Sequence, residues 1–135
     1  MSERDLPQLY LKTVVSIEED GSLVPASNAR CVAQGVVHVL TAWNPGHERP
    51  SREENDAANE ELRIELESRG PNPFQAVGVD PHSEHAEESW AVHGLSDDEA
   101  RALGTAFGQV AVFSLTATGQ AVLACSEDWV VSRSW

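Results

Sequence analysis

The residues Val36-Val-His-Val-Leu-Thr-Ala42 constrain this chain more than any other stretch. They form a nearly continuous apolar run between Gly35 and Asn44-Pro-Gly46, as expected of a strand covered on both faces and therefore central in a sheet. A second run of the same kind, Val110-Ala-Val-Phe-Ser-Leu115, is followed by a turn at Thr118-Gly119 and a hairpin partner over Gln120-Ala-Val-Leu-Ala-Cys125. Two helices fit between these runs, each announced by a capping box. In Ser51-Arg-Glu-Glu54 the serine hydroxyl accepts from the third helical amide while the glutamate reaches back to the cap. That helix extends to Arg69 and stops at Gly70-Pro71, with an apolar stripe of Ala58, Leu62 and Leu66 and with Glu60, Glu61, Glu65 and Glu67 toward water. The second box, Ser96-Asp-Asp-Glu99, opens a helix that ends at Gly108, with Leu95 and Ala100 placed as a small hydrophobic staple.

Phe74-Gln-Ala-Val-Gly-Val79 and Ser89-Trp-Ala-Val-His93 read as strands, joined by a polar loop that contains Asp80-Pro81. Residues 36–116 thus read β-α-β-β-α-β. This is the split βαβ order of a ferredoxin-like α+β sandwich, with two helices on one face of a mostly antiparallel sheet and an extra hairpin strand after it. At the start of the chain, Leu9-Tyr-Leu-Lys-Thr-Val-Val-Ser-Ile17 predicts a strand, Glu-Asp-Gly-Ser a turn, and the region of Leu23 a return strand. At 135 residues the whole of 1–135 is expected to form one domain.

Charge excludes some functions. With 22 acidic residues against 9 basic ones, the net charge of −13 opposes binding to nucleic acid and to an anionic membrane. No apolar run approaches the roughly 20 residues that span a bilayer, and residues 1–5 are not followed by a secretory signal, so cytoplasmic residence is expected. Cys31 and Cys125 lie in apolar stretches without metal or redox spacing, as two buried, reduced thiols would. No cofactor is expected, and the sequence fixes no oligomeric state.

The most unusual stretch is Leu40-Thr-Ala-Trp-Asn-Pro-Gly46, where an apolar strand ends in polar and aromatic residues ahead of a capped helix. A helix start offers free amides and the positive end of the helix dipole, and Arg49 and Arg52 stand within a few residues of it. Asn55 and Asn59 share one helix face, close enough to the apolar stripe that their amides have to be hydrogen-bonded. Thr41, Asn44, Arg49, Arg52, Asn55, Asn59 and Gln109 are accordingly the candidate binding residues. The structural alternative is a simple turn at Asn44-Pro-Gly46, with Asn55 and Asn59 holding the loop's backbone carbonyls. Gln109 opens a strand that neighbours the Val36 run in the ferredoxin-like order. Its start is expected at the opposite end from Asn44, which argues against their contact.

Glu88 precedes the Trp90 strand and could act as a general base or cap a neighbouring loop. His82 and His85 are three apart in a loop rich in carboxylates. Pro81 and the lack of a ligating framework make that loop an ordinary surface segment rather than a metal centre. His38, between valines, and His93, before Gly94, are expected to be satisfied structural histidines. No nucleophile elbow and no glycine-rich phosphate loop occurs.

Thr41-Ala-Trp-Asn-Pro-Gly46, Glu54-Asn55, Asn59, Gly94-Leu-Ser96 and Phe107-Gly-Gln109 together resemble the bacterial family catalogued as domain of unknown function 3293, over roughly residues 36–116. The resemblance implies that Thr41, Asn44, Pro45, Asn55, Asn59, Glu88 and Gln109 match a recurring pattern. It implies no activity, substrate or cofactor. Three readings follow. The favoured one is a non-catalytic binding or regulatory module that recognises a small anionic ligand or a protein partner through residues 41–59. The second is a small hydrolase- or lyase-type enzyme using Glu88. The third is an acidic protein that binds a basic partner or mimics nucleic acid through a continuous carboxylate face over residues 53–67, against which Arg63 and Arg69 argue. The tail holding Trp129 and Trp135 is expected to dock on the domain or on a partner.

Overall fold

The computed structural model describes residues 10–45, 49–70, 72–79 and 86–135. Among these, eight strands and three helices alternate along the chain. They are β1 (Val14–Glu19), β2 (Ser22–Pro25), α1 (Arg30–Gln34), β3 (Val37–Leu40), α2 (Arg52–Arg69), β4 (Phe74–Val79), β5 (Ala86–Val92), α3 (Asp97–Ala106), β6 (Ala111–Thr116), β7 (Gly119–Ala124) and β8 (Val130–Ser134). All eight strands join one sheet in the order β2-β1-β4-β5-β3-β6-β7-β8. Every neighbouring pair runs antiparallel. The fold is α+β.

Each residue of β3 is buried, and the strand lies between β5 and β6 as its apolar run requires. Alternation along it feeds two cores. Val37 and Val39 pack with Ile17, Val32, Ala91 and Leu115 on the side of α1. Leu40 packs with Leu62, Leu66, Leu103, Val112 and Leu123, beneath α2 and α3. Because β1 and β6 share the first cluster although three strands lie between them, the sheet curls around α1.

Both capping boxes form as their sequences require. Ser51 Oγ accepts from the Glu54 amide at 3.1 Å while Glu54 Oε1 accepts from the Ser51 amide at 3.3 Å, and Ser96 and Glu99 repeat the exchange. The buried stripe of α2 is Asn55, Asn59, Leu62 and Leu66, so its first two turns bury amides where the last two bury leucines. This polar half of the stripe faces the end of β3 and creates the candidate site.

Several boundaries differ from the sequence expectation. β1 begins at Val14 rather than Leu9, because Tyr10 and Leu11 belong to a helical turn whose end is closed by the Thr13 amide on the Tyr10 carbonyl at 3.1 Å. β5 begins at Ala86, which places Glu88 inside the strand rather than ahead of it. The helix α1 is only five residues long and has no side-chain cap, so nothing in its sequence marks its start. The tail supplies an eighth strand on β7, while Trp129 packs against Tyr10 and Trp135 donates its indole N–H to the Thr116 carbonyl at 2.7 Å.

Candidate functional site

Where β3 ends, its backbone groups leave the ladder and have to find other partners. The side chains of α2 supply them. The Ala42 amide donates to Asn59 Oδ1 at 3.1 Å, and the Asn44 amide donates to Asn55 Oδ1 at 3.0 Å. Asn55 Nδ2 returns a bond to Asn44 Oδ1 at 3.0 Å, closing a two-way clamp between loop and helix. Asn44 holds φ +48°, a left-handed conformation that asparagine tolerates better than most residues. The two helix asparagines therefore bind backbone amides of the loop, not its carbonyls.

Thr41 ties the same loop to β5. Its hydroxyl donates to the Glu88 carbonyl at 2.7 Å and accepts from the Trp43 amide at 3.0 Å. Trp90, next to Ser89 on β5, donates its indole N–H to the Asn59 carbonyl at 2.9 Å. From the other side, Gln109 Nε2 donates to the Trp43 carbonyl at 3.0 Å and to the Phe107 carbonyl at 3.4 Å. The expectation that Gln109 would lie away from the Asn44 loop is thus corrected. β3 and β6 pair antiparallel, with Val37 opposite Leu115 and Val39 opposite Phe113, so the end of one lies beside the start of the other. Gly108, at φ +73°, lets this approach happen, since a Cβ there would stand 2.7 Å from the Pro45 side chain.

Arg52 occupies the outer rim. Its guanidinium lies 5.4 Å from the ring centroid of Trp43, donates to Glu88 Oε1 at 2.9 Å and approaches Asp56 at 3.6 Å. The Arg52 side chain is 68% exposed and that of Glu88 49%, so this pair faces solvent while the asparagines behind it are buried. Arg49 lies exposed just ahead of α2 and is engaged rather than free. At the start of α2 the Glu54 amide is taken by Ser51, and Glu53 and Glu54 place two carboxylates in the first turn. An anion there meets negative charge, so the Arg52 side chain is the better donor for one.

Sequence reasoning missed two members of this network. Glu87, not Glu88, accepts from Asn44 Nδ2 at 3.3 Å, and Trp43 supplies both the carbonyl held by Gln109 and the ring beneath Arg52. Adjacent glutamates on a strand point to opposite faces, and sequence does not say which of the two reaches the loop. His82 and His85 lie outside the described residues, and among the described residues no three His, Cys, Asp or Glu side chains gather as a metal site would require. His38 is buried with Nε2 at 2.7 Å from Asp97 Oδ1, and His93 Nδ1 lies 3.1 Å from the Val36 carbonyl. Burial pushes the Cys125 thiol up to about 11 and the Cys31 thiol upward as well, the wrong direction for a nucleophile. The carboxylates of residues 53–67 form no unbroken face, because Arg63 pairs with Glu60 and Glu67 and Arg69 with Glu65. Among the described residues no helix is long and apolar enough to cross a membrane.

A family model described as a protein of unknown function (DUF3293) matches residues 40–112. The matched span runs from the last residue of β3 into β6 and contains the whole loop, helix and Gln109 network. No curated protein and no solved structure matches the chain.

Proposed function

The chain belongs to the DUF3293 family, and from that premise we propose that it is a non-catalytic binding module of the bacterial cytoplasm. In this reading the 41–59 segment recognises a carboxylate or phosphate group, carried by a small ligand or by a protein partner. The observation that carries the reading is how the polar groups are used. The side chains of Thr41, Asn44, Asn55, Asn59 and Gln109 bond to one another, to backbone and to Glu87, while the exposed Arg52 guanidinium, backed by the Trp43 ring, is a donor that faces outward. A buried amide network of this kind fixes a surface rather than transferring protons. An incoming anion would take the place of Glu88 on Arg52.

The enzyme reading draws on one observation, the Glu88 carboxylate held at 2.9 Å from Arg52 in the same site. A thermal-shift screen of phosphorylated metabolites, dicarboxylates and amino acids on wild type, Arg52→Ala and Glu88→Gln separates the two. The binding reading expects a ligand whose stabilisation disappears in Arg52→Ala and persists or grows in Glu88→Gln. A ligand that is consumed by wild type and left intact by Glu88→Gln would overturn it. We further read the β3-α2-β4-β5-α3-β6 unit as a ferredoxin-like split βαβ sandwich, supported by the antiparallel order β4-β5-β3-β6 and by the core that α2 and α3 share on one face. The hairpins β1-β2 and β7-β8 extend it on both sides.

A further inference from the structure

The two outer strands of the sheet are unlike. β2 is four residues long and ends in Pro25, which has no N–H to offer a neighbouring strand. β8 has no proline and carries a single charged residue, Arg133, and among the described residues no strand pairs with its outer side. Its hydrogen-bond parity can be read from both ends of the β7–β8 pair. The Ala124 amide donates to the Trp129 carbonyl at 3.0 Å, and the Trp135 amide donates to the Thr118 carbonyl at 3.2 Å. With Leu123 opposite Val130 and Ala121 opposite Ser132, the odd-numbered residues of β8 bond to β7. Val130, Ser132 and Ser134 therefore turn their N–H and C=O groups outward, and Val130 leaves its side chain 51% exposed. An edge in this state is a template for another strand.

The charge order along the segment selects the partner. Residues 127–133 read Glu-Asp-Trp-Val-Val-Ser-Arg, negative at the start and positive at the end. Antiparallel pairing of this segment with its own copy brings each Arg133 toward the Glu127 and Asp128 of the other, whereas parallel pairing sets like charges side by side. We propose that β8 pairs antiparallel with β8 of a second copy, giving a two-fold dimer with one continuous sheet. Placing Val131 opposite Val131 satisfies the parity, because Val130 then exchanges backbone bonds with Ser132 of the partner strand. It also sets Arg133 across from Trp129. Shifting the register to place Arg133 opposite Arg133 keeps the parity but opposes two cations, and is disfavoured. Because β2 is blocked by Pro25, a head-to-tail chain of β8 on β2 is closed off, and the self-pair is the closed arrangement.

Light scattering coupled to size exclusion tests this on the full chain over a dilution series. Wild type should elute at about twice the 14.6 kDa of one chain and dissociate on dilution. Ser132→Pro removes an N–H that faces outward, not one that bonds to β7, so it should give a monomer with unchanged secondary structure. Arg133→Glu should also give a monomer, and adding Glu127→Lys and Asp128→Lys to it should restore the dimer by reversing both charges. A wild type that is monomeric throughout overturns the proposal and leaves the edge to some other strand. A dimer that survives both Ser132→Pro and Arg133→Glu overturns it equally, since its interface then lies elsewhere.

Discussion

Asn55→Ala probes the clamp on which the site depends. The substitution removes two hydrogen bonds of 3.0 Å, one accepted from the Asn44 amide and one donated to Asn44 Oδ1, at a residue that is only 4% exposed. Leaving the part-buried Asn44 amide without an acceptor costs about 1–3 kcal/mol, and losing the second bond about 0.5–1.5 kcal/mol more. Alanine is the better helix former by about 0.6 kcal/mol, which offsets part of this and leaves a net loss of about 1–4 kcal/mol, centred on about 2.5 kcal/mol. For a chain of this size such a loss lowers the melting temperature by about 10 °C. Urea unfolding followed by circular dichroism measures it, with Glu53→Ala on the exposed face of the same helix as the reference, expected to stay within about 0.5 kcal/mol of wild type. If Asn55→Ala matched Glu53→Ala, the Asn44–Asn55 exchange would not hold the loop. The account of these amides as scaffolding would then fail.

Gly108→Ala should destabilise the protein by about 1–3 kcal/mol, because the new methyl meets Pro45 at 2.7 Å and the residue must keep φ +73°. Comparing its unfolding midpoint with that of Gly21→Ala, which also sits at positive φ (+84°) but where a Cβ meets nothing within 4 Å, isolates the steric part. Tyr10 is the sole tyrosine of the chain, so phenolate absorbance reports it alone. Burial, with the Glu87 carboxylate adding, pushes its phenol up to about 12 from an ordinary value of 10.0. The folded state therefore holds this proton more tightly than the unfolded state, and stability is unaffected below pH 10 and falls as pH rises from 10 toward 12. A native titration midpoint indistinguishable from that of the urea-unfolded chain would contradict this burial.

Much of the fold was legible because its signals are local. The run from Val36 fixed the central strand, Ser51-Arg-Glu-Glu54 and Ser96-Asp-Asp-Glu99 fixed two helix starts, and Asp20-Gly21 marked the first hairpin. The parts that were not legible depend on distant partners. Val130-Val-Ser-Arg-Ser134 becomes a strand because β7 offers it an edge, and Arg30-Cys-Val-Ala-Gln34 becomes a helix because Cys31 and Val32 fill the curl of the sheet. The candidate site divides the same way. Asn55 and Asn59 could be placed at the core margin from helical spacing, yet their partners, the amides of Asn44 and Ala42, follow only from how β3 meets α2. Gln109 reaches the Trp43 carbonyl because antiparallel neighbours bring the end of one strand to the start of the next, a relation that depends on strand direction and not on any local signal.

We propose that Arg52, released from Glu88, is the point at which this protein takes an anion. Isothermal titration with inorganic phosphate on wild type, Glu88→Gln and Arg52→Ala/Glu88→Gln tests it most directly. Removing the competing carboxylate should tighten binding by about tenfold, a difference of about 1.4 kcal/mol, and the further loss of Arg52 should abolish it. Equal heats in all three proteins, or binding that survives without Arg52, would contradict the claim.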